Sequence, residues 1–146
     1  MRDLVIRDLD PADLGNGFLE TLGFLSAVNL TPENARPVLE ERCQAGVQTF
    51  VAVAAGRVVG TASLVAERKF IHAGGRVGHV EDVAVHRDFQ RRGIGTKLVV
   101  HAVKRAQALG CYKVILDCFG PVAPFYARLG FREFNRGLRL DLPVDL

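Results

Sequence analysis

The chain is 146 residues long, 49% hydrophobic and 24% charged, with a formal net charge of +3. That size and balance fit one domain with a single buried core, read over residues 1–146. So mild a charge, with its only basic cluster at Arg87, Arg91 and Arg92, excludes the long basic face interleaved with aromatics that nucleic-acid binding asks for.

No apolar run approaches the roughly twenty residues of a membrane helix. The first eight residues, Met1 to Asp8, include acidic side chains and lack the apolar stretch of a signal peptide. A cytoplasmic protein is expected. Cys43, Cys111 and Cys118 are odd in number and show no repeated CxxC spacing. They read as small buried apolar side chains rather than a disulfide framework or zinc site.

In chain order, Val5 to Arg7 reads as a short edge strand. From Asp13 to Ala27 the apolar residues Leu14, Phe18, Leu22 and Leu25 recur at helical spacing. Thr31-Pro32-Glu33-Asn34 is a capped start with proline at the first helical position, and it opens a second helix to about Cys43. Thr49 to Ala55 and Arg57 to Val65 are apolar runs split at Ala55-Gly56, a hairpin signature. Val77 to Val85 is a third long strand. Ile94 to Leu109 keeps apolar residues on a four-residue stride and stops at Gly110. Lys113 to Cys118 reads as a strand, Pro121 to Leu129 as a short helix ended by Gly130, and Phe131 to Leu142 as a last strand. The order predicts an α/β sandwich with a mixed, largely antiparallel sheet flanked by helices.

The most informative stretch is Val77 to Thr96. An alternating strand delivers the basic turn Gln90-Arg91-Arg92-Gly93-Ile94-Gly95 onto a helix start. Several backbone N–H groups then point at one place, where the helix dipole favours negative charge. A Walker A loop is ruled out because Gly95 is followed by Thr96-Lys97, in the wrong order. A dinucleotide fingerprint fails too, since its third glycine position holds Leu98. The turn matches Gln/Arg-x-x-Gly-x-Gly/Ala after a strand. A glycine turn that merely starts a helix is the plainer alternative.

This loop resembles the coenzyme A loop of the GNAT superfamily of N-acetyltransferases. Further blocks sharpen the likeness: Gly17 to Leu22, Lys69 to His72, Gly78 to Val85, Gly110 to Cys118, and Phe125-Tyr126 before Gly130-Phe131. In that order they resemble the glucosamine-6-phosphate N-acetyltransferase family. The resemblance implies a GNAT-like fold. It also implies acetyl transfer from acetyl-CoA to the 2-amino group of glucosamine 6-phosphate, a step toward UDP-GlcNAc. Family members act as homodimers with active sites near the subunit interface.

Such a reaction sets three tasks: removing a proton from the amine, stabilising an oxyanion, and protonating a departing thiolate. Proximity can supply much of the acceleration without a covalent enzyme intermediate. By the resemblance, Asp117 orients and helps deprotonate the amine, and Tyr126 donates to the CoA sulfur. The plainer readings are a helix-capping carboxylate and a core aromatic. Neighbouring strand residues face opposite sides, so Glu81 and Asp82 cannot both be core-facing and unpaired. The family places them at the sugar, a salt bridge or dimer contact being the alternative. Val83, Ala84 and Val85 would offer backbone groups to the thioester and pantetheine arm. Gln90, Arg91, Arg92, Gly93, Ile94, Gly95 and Thr96 would hold the pyrophosphate.

The resemblance assigns the sugar phosphate to Thr21, Lys69 and His72, with Arg68 beside them. His72, His79 and His86 recur every seven residues, but on strands that spacing alternates faces. No metal is expected. The sequence departs from the family pattern at Val122, where an Asn is usual, and at Pro143, where a phosphate-binding Arg is usual; Arg136 and Arg139 are nearby substitutes. Two rival readings stay open here: a same-fold acetyltransferase for another amine, and a CoA-binding module without catalysis.

Overall fold

The computed structural model describes residues 3–146; Met1 and Arg2, where the segment read for a leader begins, lie outside them. The chain forms two compact units, one reaching to Leu116 and the other running from Asp117 to Leu146. In the first unit, five strands stand in sequence order: β1 (Val5–Asp8), β2 (Val47–Ala54), β3 (Arg57–Arg68), β4 (Arg76–Val85) and β5 (Cys111–Ile115). Pairing is antiparallel from β1 to β4, and β5 lies parallel to β4. The sheet is mixed and mostly antiparallel, as its order predicts.

β2 reads as a continuous apolar run because both of its faces are covered. Phe50, Ala52 and Ala54 enter one core with α4 (Ile94–Ala108), while Val51 and Val53 enter the other beneath α1 (Phe18–Leu22) and α2 (Pro32–Gln44). The α4 stripe Ile94, Leu98, Ala102 and Ala106 is almost fully buried. Burying a Leu or Ile of this kind contributes about 1.5–3 kcal/mol. The helix sits close because β3 offers Gly60: a Cβ there would lie 2.9 Å from Leu98 Cδ1. Thr31 caps α2 as its sequence signature demands, accepting the Asn34 N–H at 3.2 Å.

Three expectations need correction. The helix expected over Asp13 to Ala27 is broken into a 3-10 turn, Pro11–Gly15, and the short α1. Gly17 makes the break, with φ 95°, and a Cβ on it would lie 2.6 Å from the Val58 carbonyl oxygen. The chain must turn there to lie on β3, and tertiary contact overrides the helical spacing. Second, the strand expected at Phe131 to Leu142 does not form. Leu138, Leu140 and Leu142 keep an alternating pattern, but all are exposed, and a strand exists only by pairing with another. Asn135, at φ 56°, further interrupts the extended backbone. Third, the cysteines are not buried: Cys43 and Cys118 are exposed and Cys111 is partly covered.

Smaller shifts follow the same logic. The fifth strand runs from Cys111 to Ile115 instead of Lys113 to Cys118. The helix expected from Pro121 is a 3-10 turn, Gly120–Val122, followed by α5 (Ala123–Ala127). No helix among the described residues is long and apolar enough to cross a membrane.

Candidate active site

The two halves of β4 differ. From Arg76 to His79 it pairs on both sides, with β3 and with β5. The β5 ladder ends at His79–Ile115, and among the described residues no strand continues it along Val80 to Val85. The β3 register slips in the same half: Thr61 faces Ala84 while Ser63 faces Glu81, which leaves one extra residue on β4. Asp82 absorbs the bulge in the left-handed region, at φ 50°, a conformation Asp tolerates better than most residues. The bulge explains how both Glu81 and Asp82 reach the surface as neighbours. Bulges of this kind re-aim side chains beside active sites.

Beyond the bulge the alternation resumes. Gln90 donates from Nε2 to the Val85 carbonyl at 3.1 Å, so Val85 turns its backbone groups away from β3. Val83, two residues earlier, shares that direction. The open edge therefore offers the backbone groups of Val83 and the Val85 N–H to an extended ligand, the Val85 carbonyl already accepting from Gln90, with Ala84 buried between them. On the α1/α2 face the bulge borders a cavity of about 120 Å³, with Leu14, Phe18 and Leu39 in its walls. Thr61, Ser63 and Arg42 supply its polar part, and Arg42 donates to Ser63 Oγ at 2.9 Å and Thr49 Oγ1 at 3.2 Å.

The turn after β4 ends in an uncapped helix start. Gly93 is the N-cap of α4, at φ 77°, and no side chain among the described residues caps the helix. Its first N–H groups thus lack intrahelical and side-chain partners. Open space surrounds the position of a Gly93 Cβ, and Arg91 and Arg92 are exposed beside it. Ile94 points inward to the core and anchors the turn, while Gly95 and Thr96 are partly covered. An uncapped helix start with flanking arginines and an open strand edge suits the pyrophosphate and pantetheine of a CoA thioester.

The residues assigned to the sugar phosphate are spread over different surroundings. Thr21 is fully buried, its hydroxyl donating to the Val58 carbonyl at 3.2 Å. Lys69 pairs with Glu67 at 3.0 Å, and the same carboxylate meets His79 Nε2 at 2.9 Å. These two bonds, Lys69 first, hold the Glu67 carboxyl below its ordinary range. His72 lies in α3, the single turn Ile71–Gly74, in the left-handed region at φ 52°, and its ring packs 4.2 Å from that of Tyr112.

In the second unit, Asp117 is exposed and caps neither the 3-10 turn nor α5. Its carboxylate lies against Gly137, within 3.5 Å of where a Cβ would stand. Tyr126 is buried between Phe125 and Phe131, both edge-on. Burial, with a smaller contribution from Cys118, pushes its phenol pKa up, so it remains a proton donor. Arg139 is paired with Asp141 at 2.7 Å.

The Acetyltransferase (GNAT) family model matches residues 19–131. The chain belongs to the GNAT family of acetyltransferases. It is 41% identical over 143 residues to a glucosamine 6-phosphate N-acetyltransferase of Trypanosoma brucei brucei, covering 96% of this chain and 97% of that one. Glucosamine 6-phosphate N-acetyltransferase 1 of Oryza sativa subsp. japonica is 43% identical over 135 residues, covering 89% and 82% of the two chains. A crystal structure of a Trypanosoma brucei acetyltransferase superposes with a TM-score of 0.90 at 40% identity, covering 96% of this chain and all of that one. In this GNAT chain the bulge at Asp82 was beyond the reach of sequence reading, although the unusual Glu81-Asp82 pair in an apolar strand marked the place. His86 was also missed. Its ring meets Glu20, 66 positions away in sequence, and no local pattern announces that.

Proposed function

We propose that this acetyltransferase moves the acetyl group of acetyl-CoA to the 2-amino group of glucosamine 6-phosphate in a ternary complex. The observation that carries the chemistry is the open, bulged half of β4 running into the uncapped start of α4. The acceptor follows from the similar Trypanosoma and rice chains, both glucosamine 6-phosphate N-acetyltransferases. The family match crosses the junction at Asp117, which supports reading residues 1–146 as one acetyltransferase domain.

In this reading the Val83 and Val85 backbone takes the pantetheine arm as a partner strand, and an N–H of that edge receives the thioester oxygen as charge develops on it. A preorganised donor of this type is worth about 10²–10³ in rate. Gly93, Ile94, Gly95 and Thr96 present helix-start N–H groups to the pyrophosphate, with Gln90, Arg91 and Arg92 around them. Glu81 and Asp82 hold the sugar, and Lys69 and His72 belong to its phosphate side, which Thr21, at the other end of β3, joins from the second subunit of the dimer. Asp117 orients the amine and helps take its proton. Tyr126, kept protonated by burial, donates to the leaving sulfur.

No group of three or more His, Cys, Asp or Glu placed to hold a metal occurs among the described residues, and the mechanism uses none. A homodimer in the cytoplasm completes the reading, and the exposed alternating residues Leu138, Leu140 and Leu142 support the dimer. The test is CoA release from acetyl-CoA with glucosamine 6-phosphate, glucosamine, glucose 6-phosphate and polyamines. Release with the sugar phosphate alone is the expected result. Release with a polyamine instead reassigns the acceptor.

A further inference from the structure

His86 follows β4 directly and belongs to none of the roles above. It is buried, its backbone N–H donating to the Val59 carbonyl at 2.8 Å. Its ring nitrogens are both engaged. Nδ1 accepts the Asp88 N–H at 3.1 Å, so that nitrogen carries no proton. The neutral ring therefore has its hydrogen on Nε2, which donates to Glu20 Oε1 at 3.1 Å. Glu20 belongs to α1 and also pairs with Arg57. The charged groups around the ring are thus Glu20, Arg57, Asp88 and the exposed Arg87.

The ring also has apolar neighbours from both sides. Phe24, just after α1, meets it edge-on at 4.6 Å, and Phe89 of the turn at 5.9 Å. Arg92 in turn lies over Phe89, at 5.2 Å. A continuous chain of contacts therefore runs from Glu20 and Phe24 through His86 and Phe89 to Arg92. The bond to His86 is also the leading cause of the lowered pKa of Glu20.

We infer that His86 is a positioning residue for CoA binding, fixing the turn that carries Arg91, Arg92 and Gly93 to α1 before the ligand arrives. The inference rests on the reading of residues 90–96 as the pyrophosphate site. Its ring satisfies the Asp88 N–H that opens the turn, and its grip on Phe89 limits where Arg92 can stand. The ring touches no reacting atom, so the chemical step does not depend on it.

The experiment compares acetyl-CoA with acetyl-pantetheine, which has the thioester arm but no pyrophosphate. H86A raises the KM for acetyl-CoA by about tenfold, the scale of a lost capping hydrogen bond. It leaves kcat, the KM for glucosamine 6-phosphate and the KM for acetyl-pantetheine within twofold. H86N restores most of the loss, because its amide can accept from Asp88 and donate toward Glu20. E20A, which changes an exposed carboxylate and so spares folding, gives the same donor-specific shift in smaller measure. Equal rises for both donors in H86A and E20A, or H86N no better than H86A, overturn the inference. A wild-type enzyme that uses both donors equally well removes the pyrophosphate reading and the inference with it. A wild-type preference for acetyl-CoA that is undiminished in E20A and H86A overturns the inference alone.

Discussion

The two ends of β4 share one strand and one sequence pattern, yet they serve different ends. From Arg76 to His79 both edges are paired and Val77 and Gly78 are buried. From Val80 onward one edge is open, an extra residue interrupts the ladder, and two carboxylates surface. The paired half is bound by packing, so its tolerance is set by volume. The open half is bound by backbone direction, so its tolerance is set by geometry. On the proposed reading, function can be destroyed there with little loss of stability.

Deleting Asp82 is the sharpest way to break the contrast. Removal of the bulged residue lets β3 and β4 pair regularly, which brings Val83 opposite Ala62 and re-aims it while Val85 stays opposite Gly60. The expected outcome is a folded protein, by circular dichroism and thermal melting, with kcat reduced by about 10²–10³, the loss of an oriented donor. Retained turnover would show that the bulge is incidental. The paired half should answer in the opposite currency. A Cβ on Gly78 would meet Ala106, Leu64 and Val114 at 3.2–3.3 Å, so Gly78→Val should cost about 1–3 kcal/mol by overpacking. A lowered Tm with unchanged KM and kcat for the remaining folded enzyme is expected.

Gly93→Val tests the far end of the open half. The space around its Cβ is free, so the effect is conformational, about 1–2 kcal/mol for an L residue held left-handed. Acetyl-CoA KM should rise about tenfold, and acetyl-pantetheine KM should not move.

The smallest expected effect is a pH limb of stability unconnected with β4. His101 Nε2 is buried with no hydrogen-bond partner among the described residues, and burial followed by Arg105 lowers the imidazole pKa below its ordinary 6.5. The unfolded chain takes up this proton first, so stability falls as pH drops below about 6.5 and levels off below the folded value. His101→Leu should flatten that limb in denaturant melts between pH 7 and 5, leaving the melts at pH 8 little changed. An unaltered limb between pH 7 and 5 would show that His101 is not its source; Asp13, whose carboxyl is held low by Arg7 and Asp10 although burial opposes them, acts only at more acidic pH.

What could be read from the sequence divides along the same line between local and long-range causes. The β2–β3 hairpin, β4 and α4 were legible because their apolar spacing is set by one face or two of a single element. The turn into α4 was legible because Gly93 has a local conformational role, at φ 77°. The break at Gly17 was hidden, since its reason is the approach of Val58, 41 positions on. The C-terminal strand was overread because alternation in Leu138, Leu140 and Leu142 describes a face and says nothing of a pairing partner. Glu81 and Asp82 drew attention as carboxylates in an apolar strand, but their shared exposure needed the bulge. The burial of Thr21 against the Val58 carbonyl was hidden for the same reason as the break at Gly17, since its partner lies 37 positions away.

The open edge of β4 has a consequence for the life of the protein apart from its chemistry. Unpaired strand edges invite association with other chains, and an extended thioester arm bonded along this one would act as a removable sixth strand. A ligand that binds only the folded state stabilises it by about 2.7 kcal/mol at one hundred times its Kd. The amount of intact, unaggregated enzyme would then rise and fall with the supply of its acyl donor. Starvation for that donor would first expose the edge and only afterwards slow the reaction of the molecules that survive.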